Sequence, residues 1–422
     1  MTCIGLRMTI HARLALFQRE IVCLLEKITG VALSQRPSTM SAQVLNLNIT
    51  VDKENNRDGL LKVLAKLRPA WKEDDIKIEP LQQGFINHMV LCKANENKDE
   101  WLVARIFGII VEGFMQNRQK ELVHTKLMAD LKIGPPLYAT FTNGLVSGFA
   151  KGKSYFWTDL SAFRDPKLLK AVARAMAKIH CEATRRIAVE EYGVEKTKTM
   201  MDLLKDFMHE WPEVIVDEKT TKWFNSEVPT QEERRKELES MFGSMQAMMD
   251  GRYGDKLPFC HNDCNPTNII YDEENDRVTF VDFEMCGLAE PMGDLGNFLI
   301  TSATGFAPDP QGLYHSPEVS REVVLTYFRE INKHDNIHDE VTEEQIQDTL
   351  DMVEVLAIAM LYFFHVAAVK MASIPERSMD PKMFLGLSLA RLKCYWRDRA
   401  RMFELLEKLK KKWCKNINTD KK

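Results

Sequence analysis

The sequence predicts an α+β protein of two lobes, a small antiparallel sheet followed by a larger and mainly helical part. Three observations predict it. Between residues 75 and 150, short β-favouring runs surround a single helical pattern. Beyond residue 151 the apolar period becomes that of helices, and one hairpin near residue 270 interrupts them. Strands, one helix and then strands again fit neither a doubly wound sheet nor a sandwich.

In the first lobe FINHMVLCK, DEWLVARIF, PPLYATFTN and GLVSGFA read as strands, and QKELVHTKLMADL as the helix between them. After the turn-like AKGKS, Asp165 as N-cap and Pro166 as first helical residue open a helix with Leu169, Val172, Met176 and Ile179 on one face. The TEEQ run at 342–345 forms a capping box ahead of a long helix over 346–373, and another amphipathic helix is expected over 381–410. Residues 212–235, charged and carrying Pro212 and Pro229, read as a surface insertion. KLKKKWCK reads as a solvated basic helix end.

The chain has 422 residues, of which 45% are hydrophobic and 28% charged, enough for a large core divided between two lobes. A net charge of −4 supplies no basic field, so nucleic acid is not an expected partner and a small molecule is. The nine cysteines are scattered, and Cys260 with Cys264 lacks a second ligand pair at zinc spacing; free thiols in a reducing cytoplasm are expected. The most apolar stretch, residues 356–369, falls short of the roughly 20 residues of a membrane span and contains His365, so it reads as a buried helix. In the basic, amphipathic start of the chain, Glu20 and Glu26 argue against a transit peptide, and Met40 opens a plausible shorter product.

The chemistry concentrates in CHNDCNPTNIIYDEENDRVTFVDFE, residues 260–284. Pairing Ile269–Tyr271 with Thr279–Val281 across the DEENDR turn sets Asn268 opposite Asp282, with Asp263 on the loop entering the same end. Carboxylates and an amide oxygen suit magnesium, which keeps positions open for phosphate oxygens. The pattern points to phosphoryl transfer: Asp263 to take the proton of an attacking hydroxyl, Asn268 and Asp282 to hold metal. Taken alone, an H-x-D more often caps a loop, and His261 reads as a loop-orienting residue. Arg105, on a predicted central strand, offers a fixed cation for phosphate, with Glu121 on the next helix as its partner; a plain salt bridge explains that pair equally well. Gly84 and Asn87 in QQGFIN mark the hairpin loop nearest to a nucleotide cover. Ser147 and Phe149 lie where the chain leaves the small lobe, as adenine contacts or as a simple connector.

These parts, in this order, resemble the choline/ethanolamine kinase family over roughly residues 80 to 400. The resemblance rests on LQQGFINHMVLCK, WLVARIFG, IGPPLYATFTNGLVSGFAKG, LLKAVARAMAKIH, FCHNDCNPTNIIYD, VTFVDFE, GDLGNF and FLGLSLARL. It implies a protein-kinase-like bilobal fold. It also implies ATP and Mg2+ as cofactors, and a small amino-alcohol, choline or ethanolamine, phosphorylated for phospholipid synthesis. Asp263 would be the base, Asn268 and Asp282 the metal ligands, and Arg105 with Glu121 the phosphate contact. Asp294 and Asn297 match a segment that supports the catalytic loop. The implied boundaries are an N-terminal extension at 1–74, a nucleotide-binding lobe at 75–150, a helical catalytic lobe with the substrate pocket at 151–412, and a basic tail at 413–422. The protein would be cytoplasmic, with no membrane span, and a homodimer by analogy.

The substrate side departs from the family pattern. Phe298 stands for a His and Thr301 for a Glu, His365 and Ala368 for two Trp, and Leu387 for a Tyr, whereas Phe306 keeps an aromatic. A quaternary ammonium held in an aromatic cage gains roughly 0.5–2 kcal/mol per cation–π contact, so these losses lean toward ethanolamine or another amine. The family's Ser or Thr in the nucleotide loop is Ile86 here, which points to weaker ATP binding. Two other readings remain: a different hydroxyl kinase of the same fold, aminoglycoside-type, and a non-catalytic regulatory member. A protein kinase is disfavoured, because VAIK, DFG and APE are missing.

Overall fold

A computed structural model describes residues 44–81, 87–95, 100–108, 118–156, 159–195, 217–249, 256–305, 315–373 and 380–417. The first lobe is a six-stranded sheet in the order β1-β5-β6-β4-β3-β2. Its strands are β1 (Leu45–Leu47), β2 (Ile76–Leu81), β3 (His88–Ala94), β4 (Trp101–Ile106), β5 (Leu137–Phe141) and β6 (Gly144–Gly148). Only β1, pairing with β5, runs parallel to its neighbour. Helix α1 (Asn56–Leu67) buries Leu60, Leu61, Val63 and Leu64 in one cluster with Val90, Leu102, Ala104, Ile106, Ala139 and Val146. Strand alternation follows: with Leu102, Ala104 and Ile106 in that cluster, Val103 and Arg105 lie on the opposite face of β4. Helix α2 (Arg118–Asp130) carries Glu121.

The sequence boundary at residue 75 placed this lobe's start too late. Residues 45–67 belong to the sheet lobe, because Leu45–Leu47 completes an edge of the sheet and α1 covers its apolar face. A three-residue strand carries too little periodicity to be read alone.

The second lobe is mostly helical. After β7 (Lys153–Ser154) come α3 (Pro166–His180), α4 (Glu182–Glu190), α5 (Glu218–Glu227) and α6 (Gln231–Met249). The Asp165 side chain accepts from the Lys167 N–H, as its place before Pro166 predicts, and Leu169, Val172, Met176 and Ile179 are all buried. Next are β8 (Phe259–Cys260), β9 (Ile269–Asp272), β10 (Arg277–Phe280) and β11 (Gly287–Leu288), then α7 (Met292–Thr304), α8 (Pro317–His334), α9 (Glu343–Ala372) and α10 (Pro381–Ile417). Thr342 and Gln345 form the expected capping box at the head of α9.

By length and composition α9 could cross a membrane, but its apolar window is 78% buried, mainly against α7 and α10. The described part of the segment expected as a surface insertion is helical and partly core: Phe224 packs with Val369, Ala372, Phe384 and Leu385. The basic run near the end continues α10, and Lys408 and Lys412 pair with Asp351, Glu344 and Asp348 on α9.

Candidate active site

The hairpin β9–β10 pairs Ile269 with Phe280 and Asp272 with Arg277, one residue out of the expected register. Apolar packing selects this pairing. Ile269, Tyr271, Val278 and Phe280 then share one buried face, whereas the expected register would have turned one strand's apolar set outward. Asn268 therefore pairs with Val281, whose N–H donates to the Asn268 carbonyl at 3.0 Å. Asp282 reaches the site by another route, a left-handed backbone at φ 66°. Next to it Phe283 is buried against Gly134, where a Cβ would lie 2.6 Å from the ring.

The loop from His261 to Asn268 is held from both sides. Asp294, in the first turn of α7, accepts the backbone N–H groups of His261 (2.8 Å) and Asn262 (2.7 Å). Asn262 has φ 64°, and its side-chain amide donates to the Met285 carbonyl at 2.9 Å. His261 is fully buried; its Nε2 donates to the Val281 carbonyl (3.0 Å) and its Nδ1 accepts the Asp263 N–H (3.3 Å). Burial holds this imidazole below its usual pKa, which agrees with the orienting role read from the sequence.

Asp263 is half-buried, and each of its oxygens takes one amide: Oδ1 from Asn265 at 2.9 Å and Oδ2 from Asn268 at 2.8 Å. Burial pushes its pKa up to about 7, and the negative charge of Asp282 adds to that against the two amide hydrogen bonds. A carboxylate poised there can accept a proton near neutral pH.

Above the loop lies a cluster of ions. Arg105 reaches Asp282 at 2.9 Å, Glu121 at 3.0 Å and Glu284 at 3.6 Å. Arg118, one turn before Glu121, pairs with it at 2.7 Å, lies over the Phe107 ring and donates to Asn87 Oδ1. Burial lowers the pKa of the Arg105 guanidinium less than Asp282, Glu121 and Glu284 raise it, so it is a permanent cation. The sequence reading missed Arg118 and Glu284. Their signals were available: an i,i+3 pairing to Glu121, and a second acid two residues after Asp282.

Three carboxylates facing two guanidinium groups leave an excess of negative charge. Burial and the Asp282 charge push the Glu284 carboxyl up to about 9, and its buried Oε2 accepts no hydrogen bond. Oxygens of Glu121, Asp282 and Glu284 lie within 4.8 Å of one another. Asn268 points its amide nitrogen at Asp263, so its oxygen is free of that bond. Hard oxygen donors, one of them kept protonated because it is buried and too little positive charge faces it, suit a divalent cation.

The remaining predicted residues are placed as follows. Asn87 also accepts the Gly108 N–H, at 3.2 Å. Ser147 is on β6, and the exposed Phe149 just beyond it contacts Trp101, with ring centroids 5.0 Å apart. The Thr301 hydroxyl turns back to the Asn297 carbonyl of its own helix, 2.5 Å away. His365 is fully buried with Nδ1 2.7 Å from the Ser388 hydroxyl, and Ala368 lies buried one turn on. Gly84, Ile86 and Phe306 fall outside the described residues.

Comparison with known proteins gives a concordant result. Residues 78–396 match the family model described as Choline/ethanolamine kinase. Ethanolamine kinase 1 of Mus musculus is 26% identical over 368 residues, covering 86% of this chain and 96% of its own length. Its Homo sapiens counterpart is 27% identical, over 86% of this chain and 77% of that protein. "Probable choline kinase 3" of Arabidopsis thaliana is 22% identical, over 82% and 94%. Among solved structures, a Plasmodium vivax ethanolamine kinase superposes with TM-score 0.61 at 17% identity, covering 81% of this chain and 87% of that one. A Cryptosporidium parvum choline kinase gives 0.60 at 15%, covering 82% and 96%. At these identities the structural likeness establishes the two-lobed, protein-kinase-like fold. The family match, over most of the chain, establishes more: this protein belongs to the choline/ethanolamine kinase family.

Proposed function

We propose that the protein is an ATP- and Mg2+-dependent kinase that phosphorylates the hydroxyl of ethanolamine or choline, giving phosphoethanolamine or phosphocholine for phospholipid synthesis. The observation that carries this reading is the position of Asp263, fixed through both carboxylate oxygens beside Asn268 and close enough to Asp282 to feel its charge. Asp263 accepts the proton of the substrate hydroxyl as that oxygen bonds to the γ-phosphorus, and the bond from that phosphorus to the bridging oxygen breaks to release ADP. Asn268 and Asp282 would hold the metal, which when bound neutralises charge developing on the phosphates. Arg105, kept in place by Glu121, supplies a fixed positive charge to the same phosphates. Buried free thiols, among them Cys92, Cys260, Cys264 and Cys286, support a reducing, cytoplasmic setting.

Two things favour ethanolamine. The Mus musculus and Homo sapiens relatives are named ethanolamine kinases, and His365, hydrogen-bonded to Ser388, stands where the family pattern has a Trp. A primary ammonium can donate to oxygen acceptors, whereas a quaternary one needs ring faces. The test is turnover of MgATP with ethanolamine and with choline in separate reactions, detecting the phosphorylated amine directly. Product from either supports the reading, with ethanolamine expected to be the faster; ATP binding without phosphorylation of either amine contradicts it.

A further inference from the structure

A chain of hydrogen bonds connects the loop at His261 and Asn262 to α8. Asp294 binds two consecutive loop amides, with Oδ2 on His261 and Oδ1 on Asn262. Its Oδ2 is also 3.0 Å from His180 Nε2, and His180 Nδ1 is 3.0 Å from the Tyr327 hydroxyl. These five residues lie on four separate pieces of chain: the loop, α7, the last turn of α3 and the middle of α8. His180, Asp294 and Tyr327 are each no more than 2% exposed, and the rings of His180 and Tyr327 meet edge to face at 5.6 Å.

Chemistry sets the direction of the central bond. Asp294 as a carboxylate only accepts, so His180 Nε2 carries the proton donated to it, and the other ring nitrogen, Nδ1, faces the Tyr327 hydroxyl. The two loop amides take one oxygen each, and His180, as a third donor on Oδ2, restrains the carboxylate's rotation between them. That matters at Asn262, whose left-handed backbone is disfavoured unless its surroundings hold it. Asn262 immediately precedes Asp263, so its backbone angles aim the proposed base.

We propose that His180 and Tyr327 are positioning residues for the catalytic loop: Tyr327 orients His180, His180 locks the Asp294 carboxylate, and Asp294 holds Asn262 in the conformation that aims Asp263. The inference rests on Asp263 being the base. Its structural half can be tested without that assumption.

The test uses hydrogen exchange of the full chain without ligands, followed by steady-state kinetics. His180→Leu should speed exchange at the His261 and Asn262 amides by about ten-fold or more, while the β9–β10 hairpin keeps its protection. Misaiming a base by a fraction of an ångström to an ångström should lower kcat by about a hundred-fold and leave both KM values within about two-fold. Tyr327→Phe, which removes one oxygen and keeps the ring, should show the same pattern at roughly three- to ten-fold. His180→Gln, whose amide can still donate to Asp294, should recover most of the protection.

Unchanged exchange at 261 and 262 in Tyr327→Phe overturns the proposal, even if His180→Leu fails to fold. So does a uniform loss of protection that includes the hairpin, which is what a purely structural role predicts. Because exchange is read without substrate, absence of kinase activity would count against the proposed function and leave this result standing.

Discussion

The proposed phosphate end and the proposed amine end of this protein are built on opposite principles. At the first, Arg105, Arg118, Glu121, Asp282 and Glu284 crowd together with more carboxyls than cations, and Asp263 and Glu284 are held away from their ordinary pKa. At the second, Thr301 bonds to its own helix and His365 to Ser388. The first stores electrostatic tension that a cation and phosphates relieve. The second is close to ordinary core. Chemistry shared by every member of a kinase family needs a fixed charge array, whereas discrimination between two amines can rest on a few packing contacts.

Substitutions should respect this contrast. The largest effect is expected at the proposed base: Asp263→Asn should lower kcat by roughly 10³-fold or more, since general-base catalysis alone contributes about 10²–10⁴. At Arg105 the effect should divide between activity and folding. Arg105→Leu leaves the buried Glu121 with Arg118 alone and Asp282 without its guanidinium, and loss of one partner from such a cluster costs about 3–5 kcal/mol, to be read as a fall in denaturant midpoint together with lost turnover. Ser388→Ala should cost only about 1 kcal/mol, the net worth of its hydrogen bond to His365, and should change the ethanolamine-to-choline rate ratio more than it changes ATP affinity. An Arg105 variant of normal stability, or a Ser388 variant as inactive as Asp263→Asn, would break the comparison.

The acidity of the two carboxyls sharpens it further. Asp263 titrates near 7 and Glu284 near 9 in the folded chain, both above the ordinary carboxyl range. Acids of raised folded pKa bind more protons folded than unfolded, so their contribution to native stability grows as pH falls through about 9 to 7 and is complete only below about 4. The ligand-free protein should therefore gain stability on acidification through that window, and Asp263→Asn should remove the part near 7. Activity should move the other way, with kcat/KM rising with pH up to about 7 as Asp263 ionises.

Sequence legibility followed the same divide. Local signals were clear: Asp165 before Pro166, the Thr342–Gln345 box, and the period of Leu169, Val172, Met176 and Ile179 each act through neighbours a few residues away. The β9–β10 register was misjudged by one because turn symmetry was weighed above the apolar face of Ile269 and Phe280. The first strand and α1 were missed because the pairing of Leu45–Leu47 with β5 joins residues some ninety positions apart. Arg118 and Glu284 escaped for a similar reason: a charge cluster is assembled by the fold, and neither residue stands out in its own segment. The amine end was legible only as departure from a family pattern.

The most direct test of the central claim is a single-turnover comparison of wild type and Asp263→Asn with saturating MgATP and ethanolamine, with ATP binding measured on the same samples. The account predicts that the variant binds ATP as wild type does and transfers phosphate roughly 10³-fold more slowly. Transfer at the wild-type rate by an ATP-bound Asp263→Asn protein would contradict it.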